Sequence, residues 1–159
     1  MKFTKMQGIG NDFILVEPGA TELDWSGTAI AMCDRRFGIG ADGLILVLPS
    51  EKADVRMRIF NSDGSEAEMC GNGIRCIARY ALNRKLVKPR VGAISVESIP
   101  GIRKVSLSYD GGELTGIKVG MGQPEFAPGE IPVKLTPGTA VPVQDYPLVI
   151  GRNKLSLSF

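Results

Sequence analysis

The chain has 159 residues, 43% of them hydrophobic, which is enough for one domain with a real core. A formal net charge of +2 and an aromatic content of 6% give neither the electrostatic nor the stacking signature of a nucleic-acid surface. Histidine is absent, which removes Ser-His and Cys-His nucleophile pairs and every His-containing metal site, so acid–base chemistry falls to Cys, Asp, Glu, Lys or Tyr.

Three cysteines, Cys33, Cys70 and Cys76, are an odd number and match neither a zinc module nor a disulfide scaffold; free thiols in a reducing compartment fit best. The start, Met1-Lys-Phe-Thr-Lys5, lacks the apolar run of a signal peptide, and no 18-residue apolar stretch exists. The expectation is a cytoplasmic protein with no membrane partner. The 20 glycines and 10 prolines read as tight turns joining short strands.

Residues 2–7 alternate polar with apolar and predict a strand, which Gly8-Ile-Gly-Asn-Asp12 interrupts before Phe13-Ile-Leu-Val16 resumes one. Taken alone, Asn11-Asp12 fits a plain turn, because both side chains hydrogen-bond locally. Residues 26–36 predict a helix of about three turns, with Ser26 as N-cap, Ala29, Ile30, Ala31 and Met32 apolar, and Arg35-Arg36 as a basic end. Cys33 reads as a small buried hydrophobe within it.

Gly38-Ile-Gly-Ala-Asp-Gly43 matches the dinucleotide fingerprint by letter but not by context. The fingerprint follows a strand and opens a helix, whereas here a helix precedes and the apolar run Leu44–Leu48 follows. Val55-Arg-Met-Arg-Ile-Phe60 alternates as a half-buried strand and runs into a turn at Asn61-Ser-Asp-Gly64. From Gly71 to about residue 85, Ile74, Ile77, Ala78, Ala81 and Leu82 recur at helical spacing, and Tyr80 widens the apolar arc, which predicts a helix mostly enclosed by sheet.

The remainder is β-rich. Ala93–Ser98, Arg103–Tyr109 and Glu113–Val119 predict a meander with Gly111-Gly112 as one hairpin turn. Residues 122–147, rich in Pro and Gly, predict an irregular surface crossing, followed by paired strands at Leu148–Ile150 and Lys154–Phe159. The alternation persists to Phe159, which leads to the expectation that this is a piece of something longer.

Chemistry concentrates at one place. Cys70 stands at a helix entrance, where unpaired backbone N–H groups and the positive end of the helix dipole favour an anion, including a thiolate. The N–H groups of Gly71 and Asn72 are suited to hold a carboxylate, with Cys70 placed to take a proton from the carbon beside it. Cys76 is turned about 240° away on the same helix and reads as core packing.

Gly8-Ile-Gly-Asn-Asp-Phe13, Gly38–Gly43, Phe60-Asn-Ser-Asp-Gly-Ser-Glu66 and Cys70-Gly-Asn-Gly-Ile-Arg-Cys76, in this order, resemble the N-terminal lobe of the diaminopimelate epimerases over essentially the whole chain. The resemblance implies an α+β fold: a mixed, mostly antiparallel sheet of about eight strands wrapped around a central helix. It implies a small-molecule substrate, interconversion of LL- and meso-diaminopimelate on the route to lysine and peptidoglycan, and no pyridoxal phosphate or metal. It further implies that two cysteines, one per lobe, serve as acid and base. Cys70 is then one of them, Gly71 and Asn72 bind the reacting end, and Asn11 and Asn61 add polar contacts.

Two departures stand out. Some family members carry Gln where this chain has Gly43, and the family's second lobe with its own Cys-Gly motif has no counterpart, so residues 1–159 read as a single lobe. An isolated lobe is expected to turn over little, and its uncovered apolar surface would favour self-association into a homodimer. The rival readings are a non-catalytic lobe that holds an amino-acid carboxylate, and a proline racemase, hydroxyproline racemase or phenazine-type isomerase of the same architecture. The Gly-Asn-Asp-Phe and Asn-Ser-Asp-Gly-Ser-Glu blocks favour diaminopimelate.

Overall fold

The burial of three strands decides the architecture. In the computed structural model, which describes all residues except 21, 90, 128, 129, 132, 136–141 and 159, β2 (Asn11–Val16) and β3 (Gly43–Leu48) are apolar on both faces. Strand β4 (Val55–Asn61) alternates over its first half and is buried on both faces at Ile59 and Phe60. Strands buried on both faces need a layer on each side. Phe13, Leu15, Ile45, Val47, Met57 and Ile59 pack with helix α2 (Gly71–Asn83), and Ile14, Val16, Leu44, Leu46 and Phe60 pack with helix α1 (Trp25–Cys33).

Strands β1 (Thr4–Gly8), β6 (Ala93–Ser98), β7 (Gly101–Asp110) and β8 (Glu113–Val119), with the short β5 (Glu66–Ala67) on β4, complete an eight-stranded sheet ordered β1-β2-β3-β4-β6-β7-β8. Pairing is antiparallel except at β2–β3 and β4–β6, the two steps that α1 and α2 bridge. The β4–β6 step covers two residue pairs, Val55↔Val96 and Arg56↔Glu97. Because β3 and β4 are antiparallel, β2 and β4 run in opposite directions, and two right-handed crossovers in the same lateral direction then put their helices on opposite faces. The α+β fold with a helix held against a mostly antiparallel sheet is the expected one.

Of the differences from the sequence reading, three bear on the site. The interruption after β1 shrinks to Ile9-Gly10, both at positive φ, so Asn11 and Asp12 belong to β2 rather than to a loop. Helix α1 is capped by Asp24, whose carboxylate accepts the Gly27 N–H at 3.1 Å; Ser26 lies inside the helix and donates to the Gly64 carbonyl at 2.7 Å. Its end comes at Cys33, before Arg35 and Arg36, because the Asp34 carboxylate accepts the Arg36 and Phe37 N–H groups and turns the chain.

Residues 1–121 form one compact unit and residues 122–159 another. The second contains the antiparallel pair β9 (Tyr146–Ile150) and β10 (Asn153–Leu157). The described residues from 122 to 145 are irregular, as expected, whereas Tyr146 and Pro147, expected in the same crossing, open β9; Phe159, the end of the strand predicted from sequence, lies outside the described residues. Among the described residues no helix is long and apolar enough to cross a membrane.

Candidate active site

The site is built on the first turn of α2. Cys70 is its N-cap, in extended conformation (φ −142°, ψ 113°), and its Sγ accepts the Gly73 N–H at 3.4 Å. That approach depends on glycine: a Cβ at residue 73 would lie 3.2 Å from Ile45 Cδ1 and 3.4 Å from both Ile59 Cδ1 and Cys70 Cβ. The bare backbone lets the turn settle onto the sheet. Gly71 and Asn72 are the first two helical residues, whose N–H groups have no acceptor within the helix.

An open groove of about 500 Å³ runs along this turn, with Cys70, Gly71, Asn72 and Arg75 on one side and Lys118 and Met121 among the residues opposite. A Cβ on Gly71 would approach Met121 Sδ to 3.1 Å and narrow it. Two cations and no carboxylate line the groove, so its field suits an anion. A larger cleft of about 660 Å³ at the other end of α2, lined by Arg79, Lys85, Lys88 and Glu113, holds no thiol and no helix N-terminus.

Behind the groove lies a continuous polar network. Asn72 Nδ2 donates to Asn11 Oδ1 at 2.6 Å, Asn11 Nδ2 donates to Asp42 Oδ2 at 3.1 Å, and Arg75 donates to Asn72 Oδ1. Asp42 Oδ2 also accepts the Asp12 N–H at 3.0 Å. Arg35 spans two carboxylates, reaching Asp12 Oδ1 at 2.7 Å and Asp42 Oδ1 at 2.8 Å, while Lys5 Nζ is 3.2 Å from Asp12 Oδ2. The Arg35 guanidinium, helped by Lys5, holds the Asp12 carboxyl far below the usual carboxylate range despite the opposing effect of burial.

Cys70, Gly71 and Asn72 thus share one groove, and Asn11 joins them through Asn72. Asn61 does not line the groove; exposed at the end of β4, opposite Gly43, it donates to Ser65 Oγ at 2.9 Å. The register Phe13↔Gly43↔Asn61 nevertheless sets Asn11, Gly43 and Asn61 at one end of the sheet. A Cβ at Gly43 would meet the Phe60 carbonyl at 2.8 Å, so the strands here are spaced for glycine. Cys33 and Cys76 are buried, and burial pushes each thiol up to about 11, with Asp12 adding to the effect at Cys33 and Cys70 at Cys76. Sequence reasoning missed Asp42, Arg35, Arg75 and Lys118. Asp42 had a signal, a carboxylate in a glycine-rich loop at the start of a strand, a place where function often sits.

The family model for diaminopimelate epimerase matches residues 3–127. The chain belongs to the diaminopimelate epimerase family. It is 51% identical over 152 residues to the diaminopimelate epimerase of Moorella thermoacetica, an alignment covering 94% of this chain and 53% of that one. With the diaminopimelate epimerase of Heliobacterium modesticaldum the identity is 49%, covering 95% of this chain and 54% of that one. The chain therefore spans about half the length of the curated relatives it matches. Among solved structures, a probable proline racemase from Agrobacterium radiobacter superposes with a TM-score of 0.64 at 13% identity, covering 98% of this chain and 47% of that chain. A hydroxyproline epimerase from Agrobacterium vitis gives 0.59 at 14% identity, covering 74% and 40%. At such identities the likeness is one of fold.

Proposed function

We propose that this chain is one lobe of a two-lobe, cofactor-independent epimerase that interconverts LL- and meso-diaminopimelate, and that Cys70 is one of its two acid/base thiols. The observation that carries the reading is Cys70 at the N-cap of α2, opening onto a groove lined by Gly71, Asn72 and two cations. The α-carboxylate of the substrate lies against the free N–H groups of Gly71 and Asn72, with Asn11 and Asn61 contributing polar contacts. Cys70 as thiolate takes the α-proton: the C–H bond breaks, an S–H bond forms, and the electron pair remains on the α-carbon, delocalised into the carboxylate. A thiol on the opposite face, from the second lobe, delivers its proton to that carbon and becomes the thiolate. The reverse reaction exchanges the two roles.

Cys33 and Cys76 are unsuited to the second role. Both are buried in the core, away from the groove, and both are held as neutral thiols. The test is to incubate LL-diaminopimelate in deuterium oxide with this chain and, separately, with a two-lobe protein that contains it. The two-lobe protein forms meso product carrying deuterium at the inverted carbon, and the 159-residue chain alone does not. Meso product formed by the chain alone at an enzyme-like rate would overturn the reading.

A further inference from the structure

We propose that Asp42, clamped by Arg35, is a positioning residue that fixes which way the side-chain amides of Asn11 and Asn72 face. An asparagine amide is nearly symmetric in shape but not in chemistry, since its nitrogen only donates and its oxygen only accepts. A carboxylate only accepts, so the Asn11 nitrogen must face Asp42, which it does at 3.1 Å. The Asn11 oxygen then faces the other way, where it receives the Asn72 nitrogen at 2.6 Å. That leaves the Asn72 oxygen toward Arg75, a guanidinium that only donates. The series is closed by ions of opposite sign, and one orientation of each amide satisfies every link. Turning either amide over would set like groups against each other on both of its sides.

Asp42 can act as the fixed end because it is itself immobilised. Arg35 holds its Oδ1 at 2.8 Å, the Asp12 N–H holds its Oδ2 at 3.0 Å, and its own N–H donates to the Asp12 carbonyl at 2.9 Å. With both oxygens turned toward protein donors, each amide keeps one N–H beyond these bonds, and an N–H suits a carboxylate ligand. The bearing on substrate rests on the reading of Asn11 and Asn72 as substrate contacts.

Asp42→Asn tests this with almost no change in shape. Its new NH2 group must face either Arg35 or the paired Asn11 and Asp12 donors, so one link loses its polarity whichever way it turns. In the ¹⁵N-labelled 159-residue chain, the side-chain NH2 resonances of Asn72 shift in Asp42→Asn, although among the described residues Asn11 is what joins residues 42 and 72. In an Asn11→Ala background the same substitution leaves them in place. Arg35→Lys, which keeps the charge but cannot span two carboxylates, moves them less in the same direction and serves if Asp42→Asn does not fold. In the two-lobe protein Asp42→Asn raises KM for diaminopimelate about tenfold with kcat within about twofold. Unshifted Asn72 resonances, or a shift that persists without Asn11, overturn the proposal. Shifted resonances with unchanged KM uphold the positioning role and overturn instead the assignment of Asn11 and Asn72 to substrate.

Discussion

Cys70 and Cys76 belong to one helical segment and are the same side chain, yet the fold gives them opposite properties. At the mouth of α2, Cys70 is half-buried, borders a cationic groove and takes a backbone N–H on its sulfur. Further along, Cys76 is 3% exposed, packs among Ile74, Ile77 and the sheet, and is held as a neutral thiol by its burial. Chemistry here is set by position along the helix. The first turn leaves donors unpaired and open to a ligand, whereas the body consumes its donors in the helix and its side chains in the core.

The most severe way to break this comparison is to exchange the two losses. Cys70→Ala in the two-lobe protein lowers the epimerisation rate by at least about a thousandfold, while binding of a carboxylate ligand persists. Survival of the rate would favour the non-catalytic lobe that holds a carboxylate. Alkylation sharpens the same contrast: native protein treated with iodoacetamide at pH 8 gains label at Cys70 about a hundredfold faster than at Cys33 or Cys76, read by peptide mass spectrometry. Comparable labelling of all three would show that the core thiols are reached.

Cys76→Ala acts the other way, lowering unfolding free energy by about 1–2 kcal/mol in urea titrations with the rate within about threefold. A pH titration reads the same contrast. Burial pushes the Cys33 and Cys76 thiols up to about 11 in the folded protein, above the ordinary value they regain on unfolding, so between the two the folded state holds more protons and stability falls as pH rises. Urea midpoints measured from pH 8 to pH 11 should decline, and the decline should be shallower in Cys76→Ala.

Much of this was legible in the sequence, for reasons that differ by residue. The periodicity of Ile74, Ile77, Ala78 and Ala81 announced an enclosed helix because the apolar arc is wide. The strands flanking Gly111-Gly112 were legible because such a pair supplies two positive-φ positions. The hairpin at Ile9-Gly10 uses the same conformation with a β-branched residue in it, at a φ of 50° that isoleucine rarely adopts, so its tightness is hidden in the sequence and Asn11 reads as part of a turn. The cap of α1 is ambiguous in the sequence because Asp24 and Ser26 are both good caps, and the bond from the Gly27 N–H to Asp24 tells them apart. Asp42, Arg35 and Asn11 converge through tertiary pairing of β2 with β3, a relation with no local period, so no window along the chain could display it.

The short step between β4 and β6 has a consequence for how the protein opens. Two residue pairs, the bonds joining Asp54 to Ser95 and one from Ser50 to Glu97 link the β1–β4 side to the meander β6–β8, whereas every neighbouring pair in the main sheet, the stub β5 aside, shares four or more residue pairs. Cooperative units divide where native bonds are fewest. Amide hydrogen exchange would therefore resolve two foldons along this seam, with the meander exchanging as one and β2–β4 as the other. Helix α2 touches strands on both sides, so the amides of its body, beyond the unpaired first turn, would be the last to exchange, and the turn that carries Cys70 is anchored to an element that both halves hold.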